Sequence, residues 1–207
     1  KEKYAKVTCG GNLQDVLRGI KKAHEVGFSP IKINTVAING FNDNEILDFA
    51  KMAFDKPFQI RFIELMPIGQ AQKFHAENYL SVDYIMNKIS TKYILENIEN
   101  KKNKTDGPAQ VFKIRGGQGE IGFISPLSGH FCATCNRLRL TADGKLRSCL
   151  LREEEFDLKK LLRGNCSNTE LQNAINEVIA LKPKQHDIIC GSENLRKCQR
   201  NMSAIGG

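Results

Sequence analysis

The 207-residue chain has no tryptophan, four tyrosines, six prolines and no run of 18 or more apolar residues. The lack of a long apolar run excludes a transmembrane helix, and Lys1-Glu2-Lys3-Tyr4 has none of the features of a signal sequence. The chain therefore reads as soluble and intracellular: cytoplasmic, or in the mitochondrial matrix if its source is eukaryotic. Without tryptophan, and without aromatic residues interleaved among basic ones, it has no stacking platform of the kind single-strand nucleic-acid binders use. Neither a nucleic acid nor a membrane is expected as a partner. The seven cysteines are odd in number and lack the framework of a small secreted domain, which fits metal ligation in a reducing compartment better than disulfides.

Positive charge is in excess. Thirty-one Lys and Arg against 23 Asp and Glu give +8, which favours an anionic partner without naming it. A nucleoside triphosphate suits this as well as a polynucleotide does. Part of the surplus, such as Lys101, Lys102 and Lys104, reads as a solvated loop.

Chemistry concentrates between His130 and Leu150, where Cys132, Cys135 and Cys149 stand in the spacing C-x2-C-x13-C. Arg137-Leu138-Arg139-Leu140 and Lys145-Leu146-Arg147-Ser148 alternate in polarity around Ala142-Asp143-Gly144, the pattern of a β-hairpin that returns Cys149 toward Cys135. Loop length sets the register, and a slip of one residue turns every side chain to the other face. A two-residue Asp143-Gly144 turn would pair Leu138 with Cys149. A three-residue loop, with Ala142-Asp143 in a type I turn and Gly144 as a G1 bulge, pairs Arg137 with Cys149 and Arg139 with Arg147. The three-residue loop is expected, because Asp then Gly suits those places, and it gathers thiolate and guanidinium groups on one face. The spacing leaves zinc, with His130 or another cysteine as fourth ligand, and an iron–sulfur cluster both open.

Along the rest of the chain, Asn12 can cap a helix whose apolar positions Leu13, Val16, Leu17, Ile20 and Ala23 recur up to Gly27. Ile31 to Ile38 reads as a strand buried on both faces, a helix follows over about 44–54, and Phe58 to Met66 reads as a second buried strand. Helix, strand, helix, strand implies parallel βα units. Two of these cannot close a barrel, and the chain does not begin with Met, so earlier units are expected to be missing. Lys32, Asn34, Arg61 and Glu64 are polar within these strands and need partners, an internal Lys or Arg paired with Glu being the plain reading. The loop from Pro67 to Phe74 places a boundary near Gly69, dividing 1–68 from 69–207. A helix over 82–90 and a hairpin of Val111–Ile114 with Ile121–Ile124 come next. Gly117, Gly119 and Gly122 match G-x-G-x-x-G, but no helix pattern follows, so a dinucleotide site is rejected. Helices over 157–163 and 169–181 precede an irregular run to Gly206-Gly207.

Phe131-Cys132-Ala133-Thr134-Cys135-Asn136-Arg137-Leu138-Arg139-Leu140-Thr141-Ala142-Asp143-Gly144-Lys145-Leu146, followed by Cys149-Leu150, resembles the second-cluster motif of the radical-SAM GTP 3',8-cyclases of molybdenum-cofactor biosynthesis, the MoaA family. Lys32-Ile33-Asn34-Thr35-Val36 and Arg61 to Gly69 resemble the fifth and sixth barrel strands of that family. The resemblance implies an α/β chain: the last βα units of an incomplete TIM-like barrel, then an α+β domain with antiparallel hairpins. It implies that Cys132, Cys135 and Cys149 bind a [4Fe-4S] cluster, and it is what selects iron over zinc. It also implies that Lys32, Arg61, Arg137 and Arg139 bind GTP, that Met66 contacts S-adenosylmethionine, and that a tail ending in Gly206-Gly207 reaches the active site. The first [4Fe-4S] cluster, held by C-x3-C-x2-C, has no counterpart in these residues, so the chain is expected to supply the substrate side and to be inactive alone. The implied pathway partner is the cyclic pyranopterin monophosphate synthase, and a homodimer stays open. The alternative from another class is a zinc-stabilised, non-enzymatic module binding RNA or protein.

Overall fold

In the structure, a computed structural model that describes residues 1–98, 107–186, 188 and 200–205, two sheets and their flanking helices make an α/β fold. Helices α1 (Glu2–Val7) and α2 (Leu13–Glu25) lead to strand β1 (Ile31–Ala37). They are followed by α3 (Ile46–Asp55), β2 (Phe58–Glu64), α4 (His75–Asn78), α5 (Val82–Ser90) and β3 (Leu95–Asn97). Strands β4 (Gln110–Ile114) and β5 (Glu120–Ile124) form the expected hairpin. Next come β6 (Arg139–Leu140), β7 (Lys145–Arg147), β8 (Phe156–Asp157), α6 (Leu158–Arg163) and α7 (Asn168–Ala180). Capping follows the sequence: the Asn12 side chain accepts from Gln14 N–H, Ser81 from Tyr84 N–H, and Ser167 with Glu170 forms a capping box. Helix α1, where the sequence shows no helical pattern, buries none of its residues.

The larger sheet has the order β1-β2-β5-β4-β3. β1 and β2 pair in parallel, as the alternation of helix and strand implies, and β5 joins β2 in parallel although 55 residues separate Glu64 from Glu120. The sheet is thus continuous across position 69.

Register puts Lys32, Gln59 and Glu120 in one row and Asn34, Arg61 and Gly122 in the next, all on one face because strand side chains alternate. The other face carries Ile60, Phe62, Ile121 and Phe123, which with Ile85 and Ile89 of α5 and Ala50 and Ala53 of α3 form the main core. β2, in the middle of the sheet, is buried along most of its length, whereas β1 alternates. The expectation that β1 is buried on both faces is therefore corrected: Lys32, Asn34 and Val36 are exposed, on the face where Lys32 and Asn34 border open cavities rather than packed helices. The glycines at 117 and 119 serve packing. A Cβ on Gly119 would lie 2.2 Å from Phe58 O and 2.5 Å from Lys56 O, so the β4–β5 turn can close on the end of α3 only without one.

Candidate functional site

The second sheet, β6-β7-β8, holds the cysteine hairpin in the three-residue register. Arg139 pairs with Arg147 and Leu140 with Leu146. Gly144 N–H donates to Thr141 O (3.0 Å), Lys145 N–H to the Thr141 hydroxyl oxygen (2.8 Å), and Gly144 takes φ +87°. Position 144 excludes a side chain for a second reason, since a Cβ there would lie 2.7 Å from that of Lys159 on α6. A tight 3₁₀ turn over Cys132–Thr134, with Cys135 N–H donating to Cys132 O (3.1 Å), carries the C-x2-C pair.

Cys132, Cys135 and Cys149 are unpaired, half-buried thiols that line one cavity of about 330 Å³. Arg61, Met66, Arg137, Arg139 and Lys182 line it too, and no carboxylate does among the described residues. Burial lowers the Arg139 pKa, with Arg137 and Arg147 adding repulsion and Cys135 and Cys149 partly offsetting it. An anion in this cavity would relieve that repulsion. A second, more polar cavity of about 520 Å³ is lined by Lys32, Gln59 and Glu120, and the two share Arg61, Gly107, Pro108 and Phe131. Lys32 therefore stands beside the adjoining space and Arg61 on the common wall.

Residues 200–205 are fastened to the hairpin. Arg200 makes a fork with Asp143 (3.0 and 2.9 Å) and reaches Glu155 (2.9 Å), which holds the Asp143 carboxyl below the usual carboxylate range. Ile205 is fully buried with Ile68, Leu127 and Leu151, and Met202 lines the smaller cavity. Gly206 and Gly207 lie outside the described residues.

His130, Cys132 and His186 bring ligand atoms within 4.8 Å of one another, and the three cysteine sulfurs do not form such a set. The two histidines are hydrogen-bonded here: His186 Nδ1 accepts from Ile188 N–H (3.2 Å), so its Nε2 carries the proton and donates to Pro126 O (2.5 Å), with His130 Nδ1 2.9 Å away.

A family model described as Molybdenum Cofactor Synthesis C matches residues 58–188. The chain belongs to this family. Among curated relatives it is 46% identical over 207 residues to a GTP 3',8-cyclase of Moorella thermoacetica, covering all of this chain and 62% of that protein. It is 42% identical to the GTP 3',8-cyclase of Thermodesulfovibrio yellowstonii over 99% of this chain and 61% of the relative. The corresponding enzyme of Listeria monocytogenes is 40% identical over 211 residues. The chain thus spans about three-fifths of the length of these relatives. The family match includes β2, the β4–β5 hairpin and the cysteine hairpin, the elements that enclose the cavity.

Lys182, which lines the smaller cavity, escapes a reading of the sequence, and Glu64 has partners other than those the sequence suggests. Lys182, just after α7, donates to Arg137 O (2.6 Å) and Ser148 O (3.1 Å), tying the two arms of the hairpin together. The Lys-Pro dipeptide there signals only a helix stop. Glu64, fully buried, has hydroxyl and backbone N–H donors around it. The pairing of a strand Glu with Lys or Arg that the sequence suggests is replaced by donors from α5 and from the 127–128 loop.

Proposed function

We propose that this chain is the GTP-binding, second-cluster part of a GTP 3',8-cyclase, the enzyme that with S-adenosylmethionine forms 3',8-cyclo-7,8-dihydro-GTP in molybdenum-cofactor synthesis. One observation carries the reading: three thiols and three arginines line a single cavity, with no carboxylate among its described residues. Three thiols on one cavity are the donor set that the resemblance assigns to a [4Fe-4S] cluster. Cys132, Cys135 and Cys149 would hold it, and when bound it supplies an iron with no protein ligand, a Lewis acid. Arg137 and Arg139 present guanidinium forks suited to phosphate and purine acceptors, and Arg61 extends the positive wall toward Lys32. Met66 lines the same cavity, which supports the contact with S-adenosylmethionine that the resemblance implies. The barrel strands that would precede β1, the cluster that starts the reaction and the Gly206-Gly207 carboxylate belong to this proposal as the resemblance implies them.

Anaerobic reconstitution with iron and sulfide tests it. About four irons and four sulfides per chain, lost on Cys149→Ser, with a visible spectrum that responds to GTP, are expected. Arg137→Ala should weaken GTP binding by roughly tenfold or more at unchanged stability. One zinc per chain and no sulfide would overturn the reading in favour of a structural zinc module, for which the proximity of His130, Cys132 and His186 is the supporting observation.

A further inference from the structure

Arg61 lies on the wall common to the two cavities, and Gln59, Glu120 and Gly122 help decide where its side chain goes. The parallel pairing of β2 with β5 sets Gln59 beside Glu120 and Arg61 beside Gly122. Residues two apart on a strand share a face, so the four form a two-by-two block on the cavity side of the sheet. Within it the hydrogen bonds run in one direction. Arg61 Nε donates to Gln59 Oε1 (2.6 Å), and Gln59 Nε2 donates to Glu120 Oε2 (2.6 Å). Glu120 thereby fixes which end of the Gln59 amide faces Arg61. Were the amide turned round, its NH2 group would confront a guanidinium that can only donate.

Gly122 supplies the space. A Cβ there would lie 3.0 Å from Arg61 Cγ and 3.6 Å from the Cβ of Ala109, so the arginine stem crosses β5 where that strand has no side chain. Beyond it stand Gly107 and Pro108, which line both cavities, and a Cβ on Gly107 would lie 3.9 Å from Arg137 Nη2. The block directs Arg61 toward the same corner that Arg137 approaches from the hairpin.

We propose that Gln59, Glu120 and the bare backbone at Gly122 are positioning elements for Arg61, holding its guanidinium at the junction of the two cavities to meet the anionic part of the nucleotide. This rests on the reading of the cavity as a GTP site. Glu120, on the wall of the second cavity, acts on Arg61 through two hydrogen bonds. An acid on the floor of a basic site is explained as the group that locks an amide, not as one that repels the substrate.

The test measures GTP affinity of the iron-reconstituted chain, with iron, sulfide and the urea midpoint recorded for each variant. Arg61→Ala should lose roughly tenfold or more, the range of a charge-assisted hydrogen bond. Glu120→Leu should lose roughly threefold to tenfold by freeing the Gln59 amide. Glu120→Gln, which keeps an acceptor for Gln59, should stay within about twofold. Because Glu120 acts only through Arg61, the double variant should bind no worse than Arg61→Ala alone. Gln59→Met, similar in shape but without the relay, carries the same test if Glu120→Leu does not fold. Wild-type affinity in Glu120→Leu and Gln59→Met, alongside losses in Arg61→Ala and Arg137→Ala, would overturn the positioning role. So would losses that multiply in the double variant. Unchanged affinity in both arginine variants would instead remove the GTP reading of the cavity.

Discussion

Replacing Glu64 should be among the most destabilising single changes in the chain. Its carboxylate is fully buried at the end of β2. Oε1 accepts from the Tyr79 hydroxyl (2.9 Å), Val82 N–H (3.1 Å) and the Ser128 hydroxyl, and Oε2 from Leu127 N–H (2.9 Å) and Ser128 N–H (3.1 Å). Val82 opens helix α5, whose N-terminal end favours a negative charge. In Glu64→Ala the Val82 and Leu127 N–H groups, both on buried residues, lose their acceptor. Leaving each unsatisfied costs roughly 1–3 kcal/mol, hence roughly 2–6 kcal/mol together before any cavity term. Set against a total stability on the order of 5–15 kcal/mol, that is a large share of what holds the protein folded. Glu64→Gln should cost less. Its NH2 group can turn toward the Oε1 side, where both hydroxyls can rotate to accept, so only the Val82 bond is forfeited, about 1.5–3 kcal/mol with the charge assistance. Urea denaturation gives the ranking, and hydrogen exchange at the Leu127 amide localises it. Since residues 127–128 lead directly to Cys132, iron retention should fall in the same order. A loss below about 0.5 kcal/mol in Glu64→Ala would refute the reasoning, because the orphaned donors would then have other acceptors.

Gly119→Ala should destabilise by about 1–3 kcal/mol or more, since its Cβ meets three backbone oxygens within 2.8 Å; Gly19→Ala, inside α2 with nothing within 4 Å, should be neutral or stabilising by about 0.5–1 kcal/mol. Differential scanning calorimetry on the pair separates close approach from helix propensity. His75 is fully buried with Nε2 2.9 Å from Leu65 O, and desolvation lowers its pKa. The unfolded chain therefore takes up a proton near the ordinary pKa of about 6.5 while the folded one resists, so stability should fall as pH drops below about 6.5, by up to about 1.4 kcal/mol per unit. His75→Phe should flatten that part of the pH–stability curve even though it loses the bond to Leu65. An unchanged slope would show that another group sets it.

Local chemistry made much of this protein legible in advance. The helix cap at Asn12, the β4–β5 hairpin and the register of the cysteine hairpin all depend on residues within a few positions of one another. Asp143-Gly144 shows why: only a residue tolerant of positive φ closes that three-residue loop, and the loop in turn decides that Arg139 faces Arg147. The rest depends on distant partners. Which strand lies beside β2 is settled by sheet order, and whether β1 is covered on one face or two by what packs on the sheet, neither of which a local pattern encodes.

The sequence by itself determined the cysteine spacing, the arginines set between those cysteines and the turn that brings them back together, because each is a matter of short-range geometry. Tertiary structure alone decided that β5 pairs with β2, setting Glu120 beside Gln59 and leaving Gly122 open under Arg61. It also decided that Lys182 joins the cysteine cavity while Lys32 lines its neighbour. A cavity is enclosed by residues far apart in the chain, and only the packing of the sheet against the hairpin brings them together.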